Sequence, residues 1–173
     1  RVRRAGWIYL VACHLGAAAV LLFFLLLAQE RGGLTFALFQ QFRPAAPAAS
    51  GHLLFALAVL GFGSKAGFMP LHVWLPEAHP AAPSHVSALM SGIMIKAGLY
   101  GLLRALEWIG PWSPAWGWTM ILIGLSSGLL GALSALANND LKRALAYSSI
   151  DHIGILAIGF GLGILGVTHH LPA

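Results

Sequence analysis

Two lysines lie inside long hydrophobic runs of this chain. Lys65 follows the apolar run that begins at Leu53, and Lys96 lies within the next run. An ammonium group at the centre of a membrane-spanning helix costs about 2.5 to 3.5 kcal/mol on insertion scales, so such lysines tend to mark ion or proton paths. Burial also disfavours the charged form of a lysine, which allows it to exchange protons. The pair predicts transport, with a buried structural ion as the alternative for Lys65 and a snorkelling interfacial side chain as the alternative for Lys96.

The backbone that follows Lys65 is predicted to break. Gly67 and Pro70 come first, and further prolines follow at Pro76, Pro80 and Pro83. Each proline removes a backbone donor and restricts the residue before it, so one helix cannot continue through them. Residues 71–79 remain apolar enough to form a short half-helix at the membrane. Unwound backbone at membrane depth survives only inside protein or beside a watery cavity, so a break next to a lysine predicts a transport site.

Three histidines surround this predicted break. His72 and His79 lie on the half-helix, and His85 begins the next apolar run. Imidazole titrates near neutral pH, so each is a candidate member of a proton relay. The alternatives are hydrogen bonding that fixes the broken segment, for His72 and His79, and a helix-start residue that faces water, for His85. Glu77 is expected to pair with a base or to hold this segment to a neighbouring helix.

Asp151 and His152 form a second polar group, about two turns into the last apolar run. We predict a buried pair that either hydrates the central axis of the protein or makes an interhelical hydrogen bond. Cys13, the single cysteine, is expected to act as a small buried hydrophobe. No acidic or sulfur ligand set accompanies the histidines, so no metal site is predicted.

The elements that must position these groups are predicted from composition. Hydrophobic residues make up 58% of the chain and charged residues 9%, and the mean hydropathy of +0.81 is typical of an integral membrane protein. Runs of about 17 to 25 apolar residues predict spanning segments, and continuous rather than alternating hydrophobicity favours helices over a barrel. We therefore predict an all-α polytopic bundle and a single partial transmembrane domain over residues 1–173. Its spans are residues 7–28, 51–69 with the half-helix 71–79, 85–106, 115–137 and 143–166.

Basic residues predict the orientation of this bundle. Lys142 and Arg143 precede the last span, and a basic cluster precedes the first, at Arg1, Arg3 and Arg4. Alternating crossings place both clusters on one side, and the positive-inside rule makes that side cytoplasmic in a multi-pass protein of the inner (plasma) membrane. The net charge of +5 is thereby explained by topology, and no nucleic-acid partner is predicted. Tryptophans are predicted to form an aromatic belt at the opposite interface, at Trp108, Trp112, Trp116 and Trp118.

Two stretches of the sequence resemble a known family. The residues from Gly63 to Arg104 include Gly63-Ser-Lys-Ala-Gly-Phe-Met-Pro70 and Ile95-Lys-Ala-Gly-Leu-Tyr-Gly101, and a second stretch reads Asn138-Asn-Asp-Leu-Lys-Arg-Ala-Leu-Ala-Tyr-Ser-Ser149. They resemble the antiporter-like proton-translocating subunits of complex I, Mrp antiporters and membrane-bound hydrogenases. The stretch from Ser84 to Gly101 looks closest to the branch that contains the membrane subunits of hydrogenase-4 and formate hydrogenlyase.

This resemblance implies a role for each lysine. Lys65 matches the family's lysine at the break of a discontinuous helix, and Lys96 matches a lysine that some branches carry on the following helix. The family's acidic partner for the first lysine and its outlet group would lie outside this chain, which is expected to be part of a longer protein. The resemblance further implies partners in other membrane and peripheral subunits of a redox complex, and protons as the ion moved. No flavin, iron–sulfur or nucleotide site is predicted here, so no cofactor is expected.

Two other functions remain open at this stage. One is an Mrp-type cation/proton antiporter subunit; sodium sites draw on carboxylates and carbonyls, and carboxylates are scarce in the predicted spans, which favours protons. The other is a non-conducting membrane anchor, whose lysines pair with neighbouring subunits.

Overall fold

The computed structural model describes residues 2–41 and 49–169, and within these ranges every regular element is helical. The short segments at 71–74 and 90–94 are a 3₁₀ turn and a π-helix, and all the others are α-helices. In chain order the elements are α1 (Val2–Arg31), α2 (Phe36–Gln41), α3 (Ala49–Ala66), the 3₁₀ turn (Leu71–Trp74), α4 (Leu75–Ala81), α5 (Ser84–Leu89), the π segment (Met90–Met94), α6 (Ile95–Ile109), α7 (Pro114–Ala137) and α8 (Leu141–Thr168).

Five stretches of the described residues are long and apolar enough to cross a membrane, which confirms the predicted class. They are Val2–Arg31, Ser50–Ala81, Ser84–Ile109, Pro114–Ala137 and Leu141–Thr168. At 1.5 Å per residue, even the shortest unbroken α-helix among them, α7, is about 36 Å long and exceeds a hydrocarbon core of about 30 Å. The helices are longer than the predicted spans because polar residues at their ends also adopt helical conformation. Helix α8, for example, begins where the Asp140 carboxylate accepts from the backbone N–H groups of Lys142 and Arg143.

The second spanning element is discontinuous. Helix α3 ends at Ala66, and Gly67 has a φ of +84°, in the left-handed region that side chains with a Cβ rarely adopt. A methyl group at Gly67 would also lie 2.6 Å from Leu75 Cδ1, so glycine is required for space as well. After Pro70 the chain resumes as the 3₁₀ turn and then as α4, which provides the second half of the span.

Helices α7 and α8 pack through glycines. A methyl group at Gly154 would lie 2.7 Å from the Gly124 carbonyl oxygen and against the Gly128 nitrogen, so the two backbones touch at this point. Gly124, Gly128 and Gly154 therefore form the small faces at which the two helices meet, whereas the glycines at 159 and 163 face open space.

The predicted tryptophan belt is only partly present. Trp108 and Trp116 are buried at 6% and 2% exposure, and only Trp118 is clearly exposed. Trp116 stacks on Phe55 with ring centroids 4.9 Å apart, and its indole N–H donates to His52 Nδ1. Trp108 packs among the phenylalanines of α1 and α2, so these rings hold helices together instead of facing an interface. Residues 42–48, which follow α2, lie outside the described ranges.

The two basic clusters lie at the same end of the bundle, as predicted. Near that end an apolar cavity is lined by Val2 and Ala5 of α1 and by Ala82. The Lys142 ammonium group donates to the Ala82 carbonyl at 2.9 Å, which brings the start of α8 to the start of α1. Arg3 and Arg4 are exposed there. Arg1 lies outside the described residues.

Candidate functional site

Lys65 lies one residue before the end of α3 and faces a cavity of about 520 Å³ between α1, α3 and α6. The cavity is also lined by Cys13, Trp74, Met94 and Gly98. The Lys65 Nζ atom is 3.9 Å from Cys13 Sγ and 5.8 Å from the centre of the Tyr9 ring. The side chain is half-buried, less than the predicted burial, because this cavity is partly open.

Glycines bring the three helices together around Lys65. A methyl group at Gly98 of α6 would lie 2.8 Å from the Ala66 nitrogen and 3.1 Å from the Lys65 carbonyl carbon. On α1, a methyl group at Gly16 would collide with the Ser64 hydroxyl. Helices α1 and α6 therefore press against the last turn of α3 from two sides, and this contact determines what the lysine faces.

Two buried hydrogen bonds tie down the break itself. The Met69 backbone N–H donates to Ser127 Oγ of α7 at 3.0 Å, and Ser127 is fully buried. The Trp74 indole N–H donates to the Ser64 carbonyl at 2.9 Å, which joins the 3₁₀ turn to α3. Sequence reasoning missed Ser127, although a serine among glycines in an apolar helix was a signal. Each bond gives a partner to a backbone group that the end of the helix leaves without one.

Replacement of Ser127 by alanine is expected to destabilise the protein by about 1 to 3 kcal/mol, because the buried Met69 N–H loses its partner. The measurement is the thermal unfolding of the purified full chain in detergent, followed by tryptophan fluorescence. Ser126→Ala is the matched control, since the Ser126 hydroxyl bonds only to the Ile123 carbonyl of its own helix. Equal melting temperatures for the two variants would show that Ser127 does not hold the break.

Lys96 occupies a different cavity, of about 900 Å³, between α5, the π segment, α6 and α8. It lies in the first turn of α6, directly after the π segment, a kind of helix irregularity that is frequent at functional sites. Its Nζ atom donates to the Ser91 carbonyl at 3.2 Å. The side chain is exposed, so the prediction that it is buried was wrong for the described residues. The face of α6 that carries Lys96 is not covered by another described helix.

Serines and histidines line the Lys96 cavity. Ser91 Oγ and Ser149 Oγ are 3.3 Å apart and join the π segment to α8. His79 is 1% exposed, and its Nδ1 atom bonds to Ser87 Oγ, while its Nε2 atom has no partner within the described ranges. His152 also lines the cavity, with Nδ1 2.6 Å from the Ser148 carbonyl oxygen. The structure therefore brings Lys96, His79 and His152 around one space.

The predicted pair of Asp151 and His152 does not form. His152 is exposed towards the Lys96 cavity, whereas Asp151 is half-buried against α7, where a methyl group at Gly128 would lie 3.6 Å from its Oδ1 atom. The side chains of successive residues in a helix point about 100° apart, so adjacent residues lie on different faces of the helix. The prediction of one buried pair was wrong for this reason.

The other two candidate histidines line neither lysine cavity. His72 is half-buried, and its Nδ1 atom has no partner among the residues the structure describes. His85 is exposed at the start of α5. Glu77 makes an ion pair with Arg143 of α8 at 2.7 Å, in agreement with the expected structural pairing. In the described ranges, no group of three or more His, Cys, Asp or Glu side chains is arranged to hold a metal ion.

The lysine cavities lie on different sides of α6. Ala97 and Gly98 line the cavity of Lys65, whereas Gly92 and Ile95 line the cavity of Lys96. None of the described residues that line one cavity also lines the other. The two lysines are thus separated by the wall of a single helix, and a path between them must pass around or along α6.

A multi-pass helical bundle, with one broken spanning helix and a lysine at the break, defines a membrane protein of the ion-transporter type. The sequence model of the family described as NADH:quinone oxidoreductase/Mrp antiporter, TM, matches residues 1–171. The chain belongs to this family, which confirms the resemblance seen in its motifs.

Individual relatives support the same assignment. Hydrogenase-4 component B of Escherichia coli K12 is 44% identical over 174 residues, which cover 97% of this chain and 25% of that protein. Formate hydrogenlyase subunit 3 of the same organism is 38% identical over 124 residues, which cover 71% of this chain and 20% of that protein. The chain thus spans about a quarter or less of the length of these curated relatives.

A solved structure agrees in fold and in sequence. It is a chain of the membrane-bound sulfane sulfur reductase, an archaeal respiratory membrane complex, which matches with a TM-score of 0.79 and 32% identity. The match covers 97% of this chain and 30% of that chain.

Proposed function

We propose that this chain is part of a proton-translocating membrane subunit of a redox-driven complex, of the hydrogenase-4, formate hydrogenlyase or complex I-like type. Family membership and the identity to hydrogenase-4 component B support the proposal. Electron transfer then takes place in other membrane and peripheral subunits, which are the proposed partners together with the lipid bilayer. The chain itself moves protons and holds no cofactor. We place it in the inner (plasma) membrane, with Arg3, Arg4, Lys142 and Arg143 on the cytoplasmic side.

The observation that carries this proposal is the position of Lys65. It is a titratable amine at the end of a helix that stops inside the bundle, and it faces a cavity in the protein. The described residues that line this cavity include no carboxylate. Lysine is a residue type that proteins use for proton exchange in buried sites.

The Lys96 cavity provides a second site for proton exchange, and protons can reach it from one end of the bundle. Lys142 and Ser84 line the cavity near the loop end, and Lys96 lines it deeper in the bundle. Hydroxyl and imidazole groups both donate and accept hydrogen bonds, so the serines and histidines between these points can hold a file of water molecules. We assign to Lys96 the exchange of protons with this space.

Replacement of Lys96 by methionine is expected to reduce proton translocation by about tenfold or more, equivalent to about 1.4 kcal/mol in the rate barrier. Methionine keeps the length of the side chain and removes the exchangeable proton. The measurement uses the full chain in its assembled complex, reconstituted into vesicles, with a pH-sensitive dye inside and the redox reaction followed in parallel. Translocation at the normal ratio to electron transfer in this variant would contradict the assignment of Lys96.

Arg104→Met is the matched control for this experiment. Arg104 lies on the same helix and pairs with Glu107 three residues later, so its loss removes a cation without touching either cavity. An exposed pair of this kind contributes little, so near-normal translocation is expected.

Repeating the wild-type measurement with choline in place of sodium shows whether the translocated ion is a proton or sodium. A rate that requires sodium would replace the proton with sodium as the coupling ion.

A further inference from the structure

Tyr9 of α1 contacts three parts of the molecule next to Lys65. The Lys65 Nζ atom lies 5.8 Å from the centre of its ring, and the Trp74 ring of the broken segment packs edge-on at a centroid distance of 5.3 Å. The Tyr9 hydroxyl donates to the Met94 sulfur at 3.5 Å. Met94 is the last residue of the π segment, two positions before Lys96. One half-buried tyrosine thus touches the lysine, the helix break and the irregular turn that precedes the second lysine.

The ring has a chemical effect on the lysine that packing alone does not have. The face of an aromatic ring attracts an ammonium group within about 6 Å, and it attracts the neutral amine much less. The titratable groups that face Lys65 are Tyr9 and Cys13, both on α1. The 3₁₀ turn, the π segment and α6 contribute only side chains that do not titrate, Trp74, Met94, Ala97 and Gly98. In the described part of the chain, the Tyr9 ring is therefore the aromatic face that attracts the ammonium group of Lys65.

We propose that Tyr9 is a positioning residue for proton transfer: its ring holds the protonated Lys65 against α1, and its hydroxyl connects that state to the π segment before Lys96. This inference rests on the proposed function and adds to it a residue that neither the hydrophobic pattern nor the motifs single out. Tyr9 does not itself carry the transferred proton. It holds the ammonium group of Lys65 in place beside α1.

The test compares Tyr9→Leu with Tyr9→Phe in the full chain, within the reconstituted complex, over a range of pH. Leucine removes the ring, so the charged amine loses its stabilisation and the alkaline limb of the translocation profile should move to lower pH, by about 0.4 to 1.5 units. Phenylalanine keeps the ring and loses the hydroxyl contacts with Met94 and Cys13, so its alkaline limb should stay at the wild-type pH. Trp7→Leu is the matched control on α1, because Trp7 is 61% exposed.

The outcomes separate a failure of the Tyr9 inference from a failure of the proposed function. A shifted limb in Tyr9→Leu with an unshifted limb in Tyr9→Phe supports the positioning role. An unshifted limb in Tyr9→Leu overturns it, as does a uniform loss of rate in both variants with an unchanged profile, which marks Tyr9 as packing only. Lys65→Ala is measured alongside. If Lys65→Ala abolishes translocation while Tyr9→Leu leaves the profile unchanged, the inference alone fails; if Lys65→Ala translocates normally, the proposed function fails.

Discussion

Replacement of Lys65 by alanine in the full chain is expected to lower proton translocation by about tenfold or more, equivalent to about 1.4 kcal/mol or more in the rate barrier. The variant removes the only ionisable amine that lines its cavity among the described residues, while the cavity itself remains. Electron transfer should continue, because this chain is proposed to hold no redox centre. The measured quantity is the number of protons moved for each electron transferred, in vesicles that contain the assembled complex.

Lys65→Arg separates charge from proton exchange in the same assay. An arginine keeps the positive charge but does not give up its proton in proteins, so a relay should fail with arginine as it does with alanine. A residue needed only as a structural cation would tolerate arginine. Arg104→Ala is the control for loss of a cation elsewhere on the bundle. If both Lys65 variants translocate normally, the chain is a membrane anchor and its lysines are structural.

Replacement of Gly98 by valine is expected to separate α6 from α3 and to impair translocation together with stability. The atoms nearest to a methyl group at Gly98 are backbone atoms, the Ala66 nitrogen at 2.8 Å and the Phe62 oxygen at 3.0 Å, and backbone cannot rotate away as a side chain can. Overpacking of this kind costs about 1 to 3 kcal/mol, and occasionally more. Because Lys65 lies at this contact, the distortion should reach the lysine directly.

The measurements for Gly98→Val are the melting temperature in detergent and the ratio of protons to electrons in vesicles. Leu103→Val is the control on the same helix, since the Leu103 side chain is 38% exposed and a smaller residue fits there. We expect the control to behave as wild type in both measurements. A Gly98→Val protein with normal melting and normal coupling would show that α3 and α6 do not need this close contact.

The parts of the structure that the sequence predicted are those that depend on local chemistry. Apolar runs determine where the chain can cross a bilayer, and Gly67 with Pro70 prevents a continuous helix whatever surrounds it. The five spans and the discontinuity follow from these two facts. The family resemblance likewise rests on residues adjacent in the chain, and so it did not require the fold.

The parts that the sequence did not predict depend on how each helix is rotated about its axis. Hydropathy gave the depth of Lys96 along its span but not the face it presents, and the structure leaves that face uncovered. The same limit misassigned Asp151 and His152 to one site. Tyr9 and Ser127 were missed because their partners, Lys65 and Met69, are more than fifty residues away in the chain. Such contacts arise from packing and leave no periodic signal.

The broken segment is bonded both to α3, through Trp74 and the Ser64 carbonyl, and to the helices on its other side. Helix α4 is joined to α8 by the pair of Glu77 with Arg143, and the backbone at Met69 is anchored on α7. Helix α3 is instead pressed between α1 and α6 by the glycine contacts at its last turn. Lys65 therefore lies where these two sets of contacts meet, one residue before the end of α3.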